Sequence, residues 1–196
     1  LCQNALEDIN REGTAVEEVH LRFEPNDLWF SWTTLRHLSR ASMKRLFEDL
    51  TLKKELKPDL IWEIEQSQKL TEGDRATANA VRGEWYQELD RLFGEYDFLA
   101  IPSAQVFPYP KGIKWPSEIE GRKMDTYHRW MEIVIPASLG GIPVINVPAG
   151  FDKVGRPMGL QIMANFGQDR KVLEFGLAYE QATDFLQQRP IMDESA

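Results

Sequence analysis

The sequence predicts an α/β protein, a mixed sheet with helices on both faces, and three features lead to that class. Apolar residues recur at helical spacing along much of the chain, most regularly at Ala78, Val81, Trp85, Leu89 and Leu92. Short apolar runs bounded by proline and glycine, 98–101 and 144–147, lie between those stripes and read as strands covered on both faces. Met158, Leu160 and Ile162 alternate with Gly159 and Gln161, the two-residue period of a strand.

Each element follows in turn. Cys2, Ala5, Leu6 and Ile9 predict an opening helix ended by Gly13. Val19, Leu21 and Phe23 alternate with polar residues and predict a half-buried strand. Pro25-Asn26-Asp27 marks a helix start, and Leu28, Trp32, Leu35, Met43, Leu46 and Leu50 give one stripe along a long helical region. Lys57-Pro58-Asp59 breaks it, and a short helix is expected over 60–64. Thr71 and Asp74 form a capping box before the Ala78–Leu92 stripe, which Gly94 is expected to end. Residues 103–124, with Pro108, Pro110 and Pro116, read as a long loop of the kind that carries function. Asp125 is placed as the cap of a helix holding Tyr127, Trp130 and Met131 that Pro136 ends or kinks. The runs 144–147 and 158–162 are expected to pair as a wide hairpin. Asp169 caps a last helix with Val172, Phe175, Tyr179, Ala182 and Leu186 on its buried side, and a loose polar tail follows Pro190.

No repeat or interdomain linker divides the 196 residues, so one domain over 1–196 is expected. The balance of 42% hydrophobic and 28% charged residues suits a globular protein with a substantial core. The net charge of −8, with basic residues scattered, argues against nucleic acid or an anionic membrane surface as partner. No apolar stretch approaches the roughly 18 residues of a membrane span. The single cysteine, Cys2, allows no internal disulfide and no cysteine-based metal site; a cytoplasmic setting without cofactor or metal is expected. Leu1-Cys2-Gln3 is neither an initiator methionine nor the start of a signal peptide, so a piece or processed product of a longer protein is expected.

Motifs for chemistry are scarce. The chain has no G-x-S-x-G elbow, phosphate loop, dinucleotide fingerprint or H-E-x-x-H pair. His20, His37 and His128 lie far apart and read as surface or packing residues. Glu118 and Glu120 read as solvated rather than as a catalytic pair. Phe107, Tyr109 and Trp115 have two readings, as anchors of a proline-rich loop or as an apolar pocket wall. Gly159 beside Leu160-Gln161 points to close backbone approach.

Three blocks carry a resemblance. They are Tyr96-Asp97-Phe98-Leu99-Ala100-Ile101-Pro102-Ser103, then Ser138-Leu139-Gly140-Gly141-Ile142-Pro143-Val144-Ile145-Asn146-Val147-Pro148-Ala149-Gly150, then Gly155-Arg156-Pro157-Met158-Gly159-Leu160-Gln161-Ile162. In order and spacing they resemble the C-terminal half of the amidase signature family, as does the following helix with Ala178-Tyr179-Glu180. Ser138, Arg156 and Ala164 depart from that family's usual Asn, Leu and Gly. The resemblance implies the C-terminal part of an amidase-signature-like fold. In the intact enzyme it implies hydrolysis of small carboxamides by a serine nucleophile, activated through a second serine by a neutral lysine. Those residues belong to the family's N-terminal half. No Ser-Ser pair and no Gly-Gly-Ser run occurs here, so no catalytic residue is expected in this chain. Its expected role is to complete the sheet and line the substrate pocket, with Ser103, Trp115, Trp130 and Met131 as candidate pocket wall. A non-catalytic interaction module and part of an A-type amidotransferase subunit are the alternatives. An exposed strand edge would favour homo-oligomers or self-association.

Overall fold

The computed structural model describes residues 1–188 of the chain. The tail after Pro190 and the side chain of Leu186 lie outside the described residues. The chain forms two compact units, Leu21–Leu89 and, around it in sequence, Leu1–His20 with the residues from Asp90 on.

The Leu21–Leu89 unit is helical. It holds α2 (Pro25–Arg40), α3 (Lys44–Glu48), α4 (Leu50–Lys53), α5 (Pro58–Ser67) and most of α6 (Glu72–Glu95). Pro25 and Pro58 sit in the first turns of α2 and α5, where a missing N–H leaves no bond unmade. The expected single stripe is replaced by another face. α2 buries Leu28, Ser31, Thr34 and His37, and Leu50 is 78% exposed. A 3₁₀ turn at Ala41–Met43 and the Asp49 cap of α4 break the helix twice, which rotates later apolar positions off the α2 face. Buried Ser31 donates to the Ala78 carbonyl at 2.8 Å, which satisfies its hydroxyl. The Thr71–Asp74 box forms as expected: Thr71 N–H donates to Asp74 at 2.8 Å, and Asp74 N–H donates to the Thr71 hydroxyl at 3.1 Å. The helix behind it buries Ala78, Trp85, Leu89 and Leu92 and runs one residue past Gly94. The ring of Phe23 meets Trp85 edge-on at 5.4 Å.

The strand expected at 19–23 is absent. The chain from Thr14 to Glu24 pairs with no strand among the described residues, and Leu21 is 46% exposed. Alternation alone made the expectation; without a neighbouring edge to bond, the segment is held instead by single contacts. One is the Arg22 N–H on the buried Glu88 carboxylate at 2.8 Å.

The other unit carries the sheet. Its strands are β1 (Leu99–Pro102), β4 (Val144–Phe151) and β5 (Pro157–Met163), in the order β1-β5-β4 and antiparallel at both seams. The expected hairpin of 144–147 with 158–162 is present, with Asn146 opposite Gln161 and Val147 opposite Leu160. β5 is the central strand, while β1 and β4 flank it. β4 outlasts the stop expected at Pro148 because a bulge at Ala149-Gly150 carries it to Phe151; Gly150 takes φ +94°, which glycine adopts without strain.

One face of this sheet is apolar. Val147, Ala149, Leu160 and Ile162 pack with Ala5 and Ile9 of α1 (Cys2–Arg11) and Tyr179 of α8 (Asp169–Ala182). Gly176 allows α8 to approach β4 closely: a Cβ there would meet Ile145 Cδ1 at 2.3 Å. Asp169 is the first residue of α8, following the cap position Gln168, and acts there through its charge at the helix start. Ala182, expected on the buried side, is exposed.

Tyr179 ties α8 to the bulged strand, its hydroxyl donating to the Pro148 carbonyl at 2.8 Å. Burial pushes its phenol up to about 12, and the negative charges of Asp8 and Cys2 act the same way. In an unfolded chain the phenol ionises near ~10. The folded state therefore holds the proton more tightly; this stabilisation is complete below about pH 10 and lost as pH rises through about 12. The urea midpoint of the wild type should fall more steeply across that window than that of Tyr179→Phe. Parallel falls would contradict the assignment.

Candidate functional site

The face of the sheet opposite α1 and α8 carries Met163, Gln161 and Gly159 from β5, Asn146 from β4, and Ser103 just beyond β1. Gln161 is 7% exposed, and its side-chain amide donates to the Pro102 carbonyl at 3.0 Å. The Ser103 N–H donates to the Gly159 carbonyl at 2.8 Å. These two bonds fix the point where β1 ends and the long loop begins. Gly159 shows the close approach expected of it. A Cβ there would lie 2.9 Å from Ser103 Oγ, 3.0 Å from Asn146 Oδ1 and 3.0 Å from the Val147 carbonyl oxygen. Gln161 and Asn146 were not singled out from the sequence. A polar residue inside an apolar strand was the signal that could have found them.

The loop is less irregular than expected. It contains a small hairpin, β2 (Glu118–Ile119) with β3 (Arg122–Lys123), turned by Glu120 at φ 48° and Gly121 at φ 78°. Two successive positive φ values make a type I′ turn, and the Xaa-Gly pair was its sequence signal. Glu118 and Glu120 are exposed. The loop rings are anchored. Tyr109 meets Trp130 edge-on at 5.6 Å, Trp115 meets Tyr127 at 5.7 Å, and the Arg156 guanidinium lies 4.7 Å from the Phe107 ring centroid. Gln105 accepts from the Ile133 N–H at 3.1 Å.

The segment that receives the loop is not the helix expected after Asp125. Arg129–Val134 is a 3₁₀ turn with Met131 at φ −115°, and α7 (Ile135–Gly140) begins only at Ile135, with Pro136 in its first turn. Pro136 thus starts a helix rather than ending one, since its missing N–H suits that position. Asp125 caps nothing; its carboxylate takes two bonds of 3.0 Å from Arg129. The hydrogen bond from the Arg129 guanidinium holds the Asp125 carboxyl below the usual carboxylate range, against the upward pull of burial. Arg129 also bonds Glu132 at 3.2 Å, and Glu132 pairs with Arg122 at 3.1 Å. This network braces the small hairpin against the turn.

Of the four residues placed at a pocket wall, Ser103 lies beside Gly159, Trp115 and Trp130 lie in separate ring pairs, and Met131 lies half-buried at the kink. The indole N–H of Trp130 and the hydroxyl of Thr126 are buried without a hydrogen-bond partner among the described residues. His37 packs edge-on against Trp62 at 5.2 Å, His128 is buried beside Tyr127, and His20 is exposed. Among the described residues no three His, Cys, Asp or Glu side chains group as a metal site, and no helix is long and apolar enough to cross a membrane.

The family model for amidases matches residues 2–173. The chain belongs to the amidase family. Amidase relatives confirm the fold and bound how much of it is present. A bacterial aryl acylamidase of the amidase signature family superposes with a TM-score of 0.81 at 20% identity, over 97% of this chain and 42% of that one. Another amidase gives 0.77 at 26% identity, over 92% and 40%. The A-type subunit of the glutamyl-tRNA(Gln) amidotransferase of Thermotoga maritima gives 0.67 at 26% identity, over 93% and 38%. In sequence, the corresponding amidotransferase subunit from Synechococcus sp. strain RCC307 is 38% identical over 113 residues, which are 58% of this chain and 22% of that protein. This amidase chain therefore spans about two fifths of its structural neighbours and about a fifth of its curated relatives.

Proposed function

We propose that this chain is the sheet-completing and pocket-lining portion of an amide hydrolase. In the intact enzyme a serine, activated through a second serine by a lysine, cleaves the carboxamide C–N bond through an acyl-enzyme. Those three residues lie outside residues 1–196, and both units belong to one amidase signature domain. The match of the family model across both units, residues 2–173, carries this reading. The lack of any Ser-Ser pair or Gly-Gly-Ser run supports the assignment of the chemistry to other parts of the enzyme. The buried indole N–H of Trp130, without a partner among the described residues, supports a wall that offers a donor to another group, with Ser103, Trp115 and Met131 in the same wall. The single cysteine fits a cytoplasmic enzyme. The outer edges of β1 and β4 pair with no strand among the described residues, so the isolated chain self-associates there.

Purified residues 1–196 should show no hydrolysis of acetanilide or benzamide and should scatter light as a dimer or larger species. The full-length enzyme should hydrolyse one of these amides. Turnover by the isolated chain, or a monodisperse monomer, would sink the corresponding half of the proposal. A second reading is favoured by the 38% identity to an A-type amidotransferase subunit: the intact protein then releases ammonia for a partner protein. Amide turnover by the full-length protein without any partner would exclude that reading.

A further inference from the structure

The outer face of α8 is apolar in its middle and charged at its ends. The helix turns Val172, Gly176 and Tyr179 inward, where Tyr179 packs on the sheet and bonds the Pro148 carbonyl. On the other side Arg170, Leu173, Leu177 and Glu180 follow one another at spacings of three, four and three. That spacing sets all four in one line along the helix. Leu173 is 62% exposed and Leu177 56%, and Arg170 and Glu180 are exposed as well. Phe166, in the turn just ahead of the helix, is 79% exposed. Two leucines one turn apart thus keep a contiguous apolar strip in water, a mark of a surface that meets a partner. Arg170 bonds Glu174 at 2.7 Å through Nε, which leaves the outer N–H groups of its guanidinium for a second acceptor.

We propose that this face pairs with the same face of a second copy of the protein, α8 against α8, antiparallel about a two-fold axis. The register follows from the line itself. An axis at the level of Phe175 sets Leu173 opposite the partner's Leu177 and Arg170 opposite the partner's Glu180. The symmetry repeats each pair, so the leucines of both helices meet in the middle and an ion pair closes each end. A line that starts on a cation and ends on an anion is complementary to an antiparallel copy of itself. A parallel copy would set like charges together at both ends. An anionic membrane surface does not fit, because Glu174 and Glu180 flank the leucines and the chain carries a net charge of −8. The pairing depends neither on the open strand edges of the isolated chain nor on the chemistry proposed for the intact enzyme.

The test is sedimentation of the full-length protein and needs no catalysis. The wild type should run as a dimer at about 10 µM, since a single helix pair is a small interface of moderate affinity. Leu173→Lys should raise the dissociation constant at least about tenfold, because it removes an apolar contact twice and sets a charge there. Arg170→Glu and Glu180→Arg should each raise it about three- to tenfold, since each breaks the ion pair at both ends. The double variant Arg170→Glu with Glu180→Arg should return close to wild type. Both substitutions suit the helix, adding an acid to its first turn and a base to its last, so weaker association does not report a melted α8. A wild-type dimer indifferent to these changes, or a double variant no better than the single ones, would overturn the proposal. So would a wild type still monomeric at about 100 µM. In that case a urea midpoint lowered by Leu173→Lys would assign the face to another part of the same enzyme, and an unchanged midpoint to a different protein.

Discussion

Glu63→Ala should lower the stability of the helical unit by about 3 kcal/mol. The Glu63 side chain is 4% exposed and lies between two arginines, with Arg36 Nε at 2.9 Å from one carboxylate oxygen and Arg40 Nε at 2.8 Å from the other. Each arginine side chain keeps about a third of its surface in water, 30% and 31%, so the pairs are screened on one side only. Removing the carboxylate leaves two guanidinium groups facing one another across a small cavity. Arg36 is further fixed against the Trp32 ring at 5.2 Å, which limits its escape. Glu63→Gln should cost less, because the shape and one acceptor survive. Four of the six tryptophans, Trp29, Trp32, Trp62 and Trp85, lie in this unit, so a fluorescence-detected urea midpoint reads it directly. A midpoint for Glu63→Ala within the error of wild type would show that the α2–α5 contact does not depend on this carboxylate.

Gly159→Ala should cost the sheet unit about 2 kcal/mol by overpacking. Two of the three atoms that the new methyl would meet are side-chain ends, Ser103 Oγ and Asn146 Oδ1, which can turn away. The third is the Val147 carbonyl oxygen at 3.0 Å, on a strand paired with β5 over most of its length. That oxygen moves only if the β4–β5 seam opens. Adding Ser103→Gly to Gly159→Ala should therefore recover only part of the loss. Complete recovery would place the obstruction in the serine alone and leave the strand spacing unexplained.

Legibility in the sequence followed the number of signals that agreed. At α6, period, capping box and terminal glycine coincided, and the helix forms as expected with its box bonded. At β4 and β5, apolar runs lay between proline and glycine on a short connection, and the hairpin forms. At Val19–Phe23 alternation stood alone, and no strand forms, because a strand needs an edge that local sequence does not encode. Around Pro136 the same residue could end one helix or begin another; the spacing of Tyr127, Trp130 and Met131 favoured the former, while a 3₁₀ turn followed by α7 is what packs. The site was legible in part. Gly159 and Ser103 could be read from a glycine in a strand and a polar residue at a strand end. Asn146 could be read as a polar residue in an apolar strand, but its place across from Gln161 comes only from the pairing of β4 with β5.

The proposed function puts the attacking serine of the enzyme outside residues 1–196. It is tested most directly by covalent labelling of the full-length protein with a fluorophosphonate, which loses fluoride to an activated serine hydroxyl, followed by peptide mapping. One labelled serine, outside residues 1–196, is expected, with no labelling of the isolated chain. A label on Ser103, or on any other serine within these residues, would contradict it.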